Sequence, residues 1–308
     1  MKILITGGAG FIASHVADAY IAAGHDVVII DNLVTGNKQN LNPKAKFIEM
    51  DIRSEELKKI FSSEKFDVVN HHAAQMDVRK SVEDPMYDAS VNILGVLNLL
   101  ENCRSHKIKK FIFSSTGGAI YGEQDYFPAD EEHPTRPLSP YGISKLTTEK
   151  YLFYYSAIHG VQYVILRYAN VYGPRQNPHG EAGVVAIFAT KMFAGTQPVI
   201  NGEGKQTRDY VYVGDVVRAN VSALKLNKND CINIGTGIET DVNALFNILS
   251  KYTGKNVKEV HGAAKEGEQL RSVLLNNKAK QILNWSPEVS LEDGLRMTVD
   301  YFRNRKQS

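Results

Sequence analysis

Short apolar runs alternate with longer amphipathic stretches through the first half of the chain. Lys2 to Thr6 is a run of branched apolar residues that reads as a strand, and Gly7, Gly8 and Gly10 follow at once as a tight turn. A helix starts near Phe11, Gly24-His25-Asp26 closes it, and Val27 to Ile30 gives a second strand ending at Asp31. A polar loop, Asn32 to Asn42, leads to a third strand, Phe47 to Met50, which runs into Asp51-Ile52; a helix is expected from about Ser54. Phe66 to Asn70 is a fourth strand entering His71-His72-Ala73-Ala74-Gln75. Between Pro85 and His106, Val91, Leu94, Val96, Leu97 and Leu100 recur at helical spacing and predict one long helix. Lys110 to Ser114 is a fifth strand, Pro140 to about Ile158 a helix, and Val161 to Arg167 a sixth strand. Strictly alternating strands and helices predict a parallel sheet covered on both faces.

Beyond Tyr168 the pattern loosens. Ala182 to Ala194 reads as helical, Pro198 to Asn201 as extended, and Gly202 to Gly204 as a turn before Thr207 to Val211. A helix from Asp215, a short strand Cys231 to Ile234, a helix from Asp241, and helical segments around Ala279 and from Leu291 to Asn304 complete the chain. No internal repeat is evident. A length of 308 residues suits two domains, or one core with an elaborated lobe. The expected division is a first half, 1–168, to which 213–240 returns through the Cys231 strand, and a smaller lobe from 169–212 and 241–308.

Composition narrows the classes of function. With 43% hydrophobic and 23% charged residues the chain is an ordinary globular one. A net charge of +2 without a basic block leaves no footprint for nucleic acid or an anionic membrane. Lys107, Lys109 and Lys110 read as a solvated helix end. Cys103 and Cys231 make neither a disulfide framework nor a metal spacing, consistent with a reducing compartment. No signal-like segment opens the chain and no apolar run approaches membrane length, so a soluble, cytoplasmic protein is expected.

The glycine turn is where chemistry enters. Gly tolerates positive φ and lets a phosphate approach the backbone, while the first-turn amides of the following helix attract negative charge. Ala13 stands at the last glycine of the G-x-x-G-x-x-G spacing and is small enough for close helix-strand contact. Asp31, about 20 residues on, can accept hydrogen bonds from ribose hydroxyls and would repel a 2′-phosphate, which favours NAD over NADP. His71 and His72, adjacent on an extended chain, face opposite ways and are read as structural rather than as metal ligands. Asn92 falls near the cofactor end of its helix. Ser114-Ser115-Thr116 puts hydroxyls at the carboxyl end of the fifth strand, where ligands bind in such sheets, and Tyr141 and Lys145 lie one helical turn apart just downstream. All three can converge on the nicotinamide. The run Tyr151, Phe153, Tyr154, Tyr155 is expected to pack in the core or on a partner helix.

Taken together the residues resemble the extended short-chain dehydrogenase/reductase superfamily, specifically its nucleotide-sugar epimerases and dehydratases, nearly end to end. The strings are TGGAGFIASH at Thr6, DNLVTGN at Asp31, DIR at Asp51, HHAAQ at His71, FIFSST at Phe111, YGISK at Tyr141, RYANVYGPRQ at Arg167, GKQTRDYVYVGD at Gly204, NIGTG at Asn233 and KEGE at Lys265. The resemblance implies an α/β fold, a Rossmann-type doubly wound parallel sheet with a smaller α/β substrate-binding lobe. It implies NAD held by Gly7, Gly10, Phe11, Ile12, Asp31, Asn32, Gly36, Asp51, Ile52, Ala73, Ala74, Gln75, Asn92, Ser114 and Tyr168, together with Tyr141 and Lys145. Tyr141 would be the acid/base, Lys145 would hold the nicotinamide ribose, and Thr116 would donate to the sugar. Asn170, Val199, Arg208, Lys265, Glu268 and Arg271 would hold the nucleotide sugar, Arg208 because its fork suits phosphate oxygens.

Three departures stand out: Ala13, Lys265 where arginine is common, and a strand tip one residue longer than usual, which leaves Ser115 as an alternative to Thr116. The implied reaction is inversion at C4 of a UDP-hexose, with a 4-keto sugar formed and re-reduced on its other face. A uronic-acid epimerase or decarboxylase is the nearer alternative. A 4,6-dehydratase needs an Asp-Glu pair after the threonine, where Gly117 and Gly118 stand, and a non-catalytic NAD-binding regulator would carry a degenerate Tyr or Lys. A homodimer is expected through the helix from Tyr141 and the long helix from Pro85.

Overall fold

Branched apolar runs with no polar alternation must be covered on both faces, and here helices do so. The computed structural model describes residues 1–178, 183–265 and 269–305. The first half runs β1 (Lys2–Thr6), α1 (Phe11–Ala22), β2 (Asp26–Asp31), β3 (Lys46–Glu49), α2 (Leu57–Glu64), β4 (Val68–His71), α3 (Val78–Glu83), α4 (Pro85–Ala89), a π turn (Ser90–Leu94), α5 (Gly95–Ser105), β5 (Lys110–Thr116), α6 (Gly117–Tyr121), α7 (Pro140–His159) and β6 (Gln162–Tyr168). The second half adds β7 (Asn170–Tyr172), α8 (Val184–Ala194), β8 (Ile200–Asn201), β9 (Thr207–Tyr212), α9 (Val213–Lys225), β10 (Asp230–Ile234), β11 (Glu239–Asp241), α10 (Val242–Thr253), β12 (His261–Gly262), β13 (Arg271–Ser272), α11 (Asn277–Leu283) and α12 (Leu291–Arg305).

Seven strands form one sheet in the order β10-β6-β5-β4-β1-β2-β3, and every pairing in it is parallel. The order reverses between β1 and β4, so a crevice opens beyond their carboxyl ends, the place where a doubly wound sheet takes its ligand. One face packs Val16 and Tyr20 of α1 against Val216 and Ala219 of α9; the other packs Leu99 and Leu100 of α5 with Leu152 and Tyr155 of α7. Phe188, Leu245, Phe246, Leu295 and Val299 make a separate core for the second lobe. Ala279, Leu283 and Trp285, although they lie in 241–308, pack with the α1/α9 face of the sheet.

The structure corrects two local expectations and divides a third. The helix from Pro85 is interrupted: Ser90–Leu94 is a π turn, in which Val91 and Asn92 are buried. Lys110 is not at a solvated helix end. It begins β5, is buried, and its Nζ donates to the carbonyls of Ala223, Leu224 and Leu226 at 3.3, 2.7 and 2.7 Å, closing the orphan carbonyls that end α9. Of the aromatic run on α7 only Tyr155 is buried; Phe153 and Tyr154 are exposed.

α7 begins where its sequence dictates. Ser139 caps it, its Oγ accepting from Gly142 N at 3.1 Å, Pro140 takes the first turn, and Gly160 in the left-handed region ends it.

Candidate active site

The glycine turn is shaped for close approach. Gly7 has φ +71, and a Cβ there would lie 2.7 Å from the Ala73 nitrogen, so the turn and the 73–75 loop touch through backbone alone. α1 starts at Phe11 with Gly10 as its cap and no side chain answering the first-turn amides, which leaves the amide end of the helix to an anion. Asp31 is buried behind the turn. Its Oδ2 accepts from Ala9 N at 3.0 Å and its Oδ1 from Leu33 N at 2.8 Å, and a Cβ on Gly36 would press to 2.7 Å from Oδ1. Burial raises its pKa and the two amides lower it; each oxygen keeps a lone pair for a ribose hydroxyl. Asn32 Nδ2 donates to Asp51 Oδ2 at 2.9 Å, while Arg53 hydrogen-bonds Asp51 and holds it down at about 2. Ile52 is buried beneath Gly95, where a Cβ would meet it at 2.7 Å. Uncapped amides, a cradle that a Cβ would fill and a carboxylate at the second strand end fit a dinucleotide.

At the tip of β5 the strand's alternation assigns the hydroxyls. Ser115 turns away from the crevice: it is buried and its Oγ donates to Glu149 Oε1 at 2.6 Å. Thr116 faces the other way, and its Oγ1 accepts weakly from Ala119 N at 3.4 Å. Of the two alternatives, only Thr116 has a hydroxyl free to meet a ligand. Lys145 Nζ donates to the Ser114 carbonyl at 2.8 Å and lies 4.8 Å above the Phe113 ring and 5.8 Å from that of Tyr141. Burial pushes Lys145 down to about 8, with Asp88 and Glu149 opposing. Burial also raises Tyr141, and Asp88 adds to it. A phenolate at Tyr141 therefore requires positive charge nearby, which a bound nicotinamide provides. Tyr168 is buried, accepting from Asn220 Nδ2 at 2.8 Å. Asn92 does not present its amide to the crevice: its Oδ1 accepts from Gln75 N at 2.9 Å and its Nδ2 donates to Gln75 O at 2.8 Å.

The two histidines are structural in their contacts. His71 Nδ1 meets Thr6 Oγ1 at 2.7 Å and stacks on Phe113, whereas His72 stacks on Tyr168. Among the described residues no His, Cys, Asp and Glu cluster could hold a metal. Burial, then the Lys145 charge, lowers His71 well below its ordinary value and His72 to about 3. Both are neutral in the fold and take up a proton on unfolding once the pH falls below their ordinary 6.5. Stability should therefore drop as pH falls from about 6.5 towards 3, by about 1.4 kcal/mol per pH unit for each histidine. Urea unfolding between pH 7 and 5 measures it, and a slope that His72→Gln leaves unchanged would remove His72 from the account.

Of the residues expected to hold the nucleotide sugar, Asn170 opens β7 beside β9, and Arg208 on β9 donates from Nη1 to Thr207 O at 2.8 Å. Arg271, paired in register with Thr207, binds Glu239 through two hydrogen bonds at 3.0 and 2.6 Å and lies 3.7 Å over the Phe127 ring. Val199 and Lys265 are exposed; Glu268 lies outside the described residues. Sequence reasoning missed three buried carboxylates. Asp88 and Glu149 flank Lys145, and Asp209 takes the amides of Thr236, Gly237 and Leu274. Glu149, four residues after Lys145, was the one with a local signal.

Known proteins resemble this chain along nearly its whole length. The profile of the NAD dependent epimerase/dehydratase family matches residues 3–235. A putative UDP-glucose 4-epimerase of Methanocaldococcus jannaschii is 49% identical over 306 residues, covering 99% of this chain and 100% of that protein. The crystal structure of the Thermotoga maritima UDP-glucose 4-epimerase with UDP-glucose superposes with a TM-score of 0.97 at 51% identity, over 99% of this chain and 100% of that one. The Thermus thermophilus UDP-glucose 4-epimerase in complex with NAD gives 0.94 at 43% identity, over 98% and 99%.

Proposed function

Because this chain belongs to the NAD-dependent epimerase/dehydratase family, we propose that it is a UDP-glucose 4-epimerase, interconverting UDP-glucose and UDP-galactose. The observation that carries this reading is the strand tip. Thr116, Tyr141 and Lys145 serve oxidation of a sugar hydroxyl there, while Gly117 and Gly118 offer none of the carboxylates that elimination of water would need. NAD, held by the glycine turn and Asp31, would supply the hydride acceptor for C4 and the donor for its return. Tyr141 takes the C4 hydroxyl proton and later gives it back, Lys145 keeps positive charge beside the phenol, and Thr116 donates to the sugar oxygen. Arg208, Lys265 and Arg271, with Asn170 and Val199, hold the nucleotide while the ketose turns over. We assign 1–168 with 213–240 to the cofactor and 169–212 with 241–308 to the sugar nucleotide, except that α11 and Trp285 support the first half.

Deuterium at C4 of the substrate tests the scheme. Label retained at C4 of the epimer, with one equilibrium mixture reached from either sugar and no NADH accumulating, is the expected result; label lost to water sinks it.

The same reading includes a homodimer. Met86 and Leu94 beside α7, and Ile143, Phe153, Tyr154 and Ile158 on it, are exposed apolar side chains on helices that pack together, the kind of surface that a two-fold partner covers. Light scattering at micromolar concentration should give twice the 34.2 kDa chain mass; a monomer counts against it. Among the described residues no helix is long and apolar enough to cross a membrane.

A further inference from the structure

The carboxylate of Asp88 is fully buried yet outside the reacting groups, and three donors converge on it. Gln75 Nε2 and Asn92 Nδ2 donate to Oδ1 at 3.2 and 2.9 Å, and Ser144 Oγ donates to Oδ2 at 2.6 Å. These donors belong to different parts of the site. Gln75 lies in the loop that touches Gly7, and Ser144 immediately precedes Lys145 on α7. One turn further along both helices a second tie repeats the first: the Asn92 carbonyl, within the π turn, accepts from Thr148 Oγ1 at 3.1 Å. Asp88 and Asn92, one turn apart, thus grip Ser144 and Thr148, one turn apart, and Lys145 lies between them.

We propose that Asp88 is a positioning residue for epimerisation: it clamps the catalytic helix α7 to the cofactor-side loop 73–77 and places a fixed negative charge beside Tyr141 and Lys145. The proposal rests on the reading of Tyr141 as proton acceptor. Its amide and hydroxyl donors leave Asp88 acting only as acceptor, the role of an ionised carboxylate. Its charge works against the phenolate and in favour of the Lys145 ammonium. The other groups facing this point are Glu149, paired with Arg167, and His71 and His72, both held neutral. With the histidines uncharged and Glu149 neutralised by its arginine, the Lys145 ammonium is the charge that faces Asp88, and the two oppose each other at Tyr141. The consequence is control: Asp88 offsets the Lys145 charge at Tyr141, so Tyr141 keeps its proton until further positive charge arrives, and proton acceptance is tied to a loaded, oxidised site.

Asp88→Asn keeps the volume and removes the charge, while Ser144→Ala keeps the charge and cuts the clamp. The cofactor-loaded proteins are titrated by tyrosinate absorbance, with the Tyr141→Phe protein subtracted so that only Tyr141 is read, and kcat and KM are measured across pH. In Asp88→Asn the ionisation of Tyr141 and the rising limb of kcat should both move down by at least about half a pH unit. Ser144→Ala should lower kcat roughly tenfold with KM little changed and the ionisation in place, the cost of a slightly misplaced helix. An unmoved Tyr141 ionisation in folded, loaded Asp88→Asn overturns the charge role. Wild-type kcat in Ser144→Ala overturns the clamp, and that measurement stands even if Asp88→Asn fails to fold. Full activity of Tyr141→Phe would instead refute the reading of Tyr141 itself.

Discussion

Tyr141→Phe should lose at least about a hundredfold in turnover while still copurifying with NAD, the scale of a missing general base. The substitution removes one oxygen and leaves the ring that packs near Lys145. Nothing else described at the strand tip can take over. Ser115 is committed to Glu149, Thr116 lacks an acidic partner to relay its proton, and His71 and His72 are buried, neutral and engaged with Thr6 and Tyr168. The cradle around Gly7, Gly10 and Asp31 shares no hydrogen bond with Tyr141, so cofactor content should be unchanged and KM should move little. Thr116→Val should cost less, because it removes a hydrogen bond to the sugar oxygen and not the proton acceptor. Equal losses in the two variants, or turnover above about a tenth of wild type in Tyr141→Phe, would place the proton elsewhere.

What was legible in the sequence was local. A phosphate-binding turn is built from consecutive glycines and an uncapped helix start, so Gly7 to Gly10 carries its own signature, and Asp31 follows from the length of one helix and one strand. Tyr141 and Lys145 are neighbours by helical spacing alone. The choice between Ser115 and Thr116 was not legible, because it depends on which face of β5 meets Glu149 and Arg167, residues 34 and 52 positions further on by their numbers. Lys110 misled for the same reason: its partners are the carbonyls ending α9, more than a hundred residues away. The π turn at Ser90–Leu94 left no mark in a hydrophobic pattern that fits an unbroken helix, and the bonds by which the Asn92 amide pins Gln75 were not legible either. The ion pair of Arg271 with Glu239 on β11 was not legible either, since 32 positions separate the two.

The largest expected loss of stability comes from the buried pair behind the strand tip. Arg167 Nε and Nη2 donate to Glu149 at 3.0 and 2.6 Å, Ser115 Oγ adds a third bond to the carboxylate, and Arg167 Nη1 donates to the Tyr121 hydroxyl at 2.9 Å. Both side chains are more than nine-tenths buried. Burial works against the Arg167 charge, and Glu149 leads the groups that restore it. Arg167→Met would leave Glu149 buried without its counter-charge and should cost about 3–5 kcal/mol. Replacing both residues by methionine should recover most of that, since no charge then remains to be desolvated, although Ser115 loses its acceptor. The deficit of the single variant should also shrink as pH falls. An unpaired buried carboxyl has its folded pKa raised above the unfolded one, so the folded state binds the extra proton and gains stability on acidification. Denaturant unfolding of the two variants and of Glu149→Met, at neutral and mildly acidic pH, gives the cycle. A single-variant loss below about 1 kcal/mol, or a double variant as weak as Arg167→Met alone, would mean that the pair is held by its surroundings and does not itself hold α7 against β5 and β6.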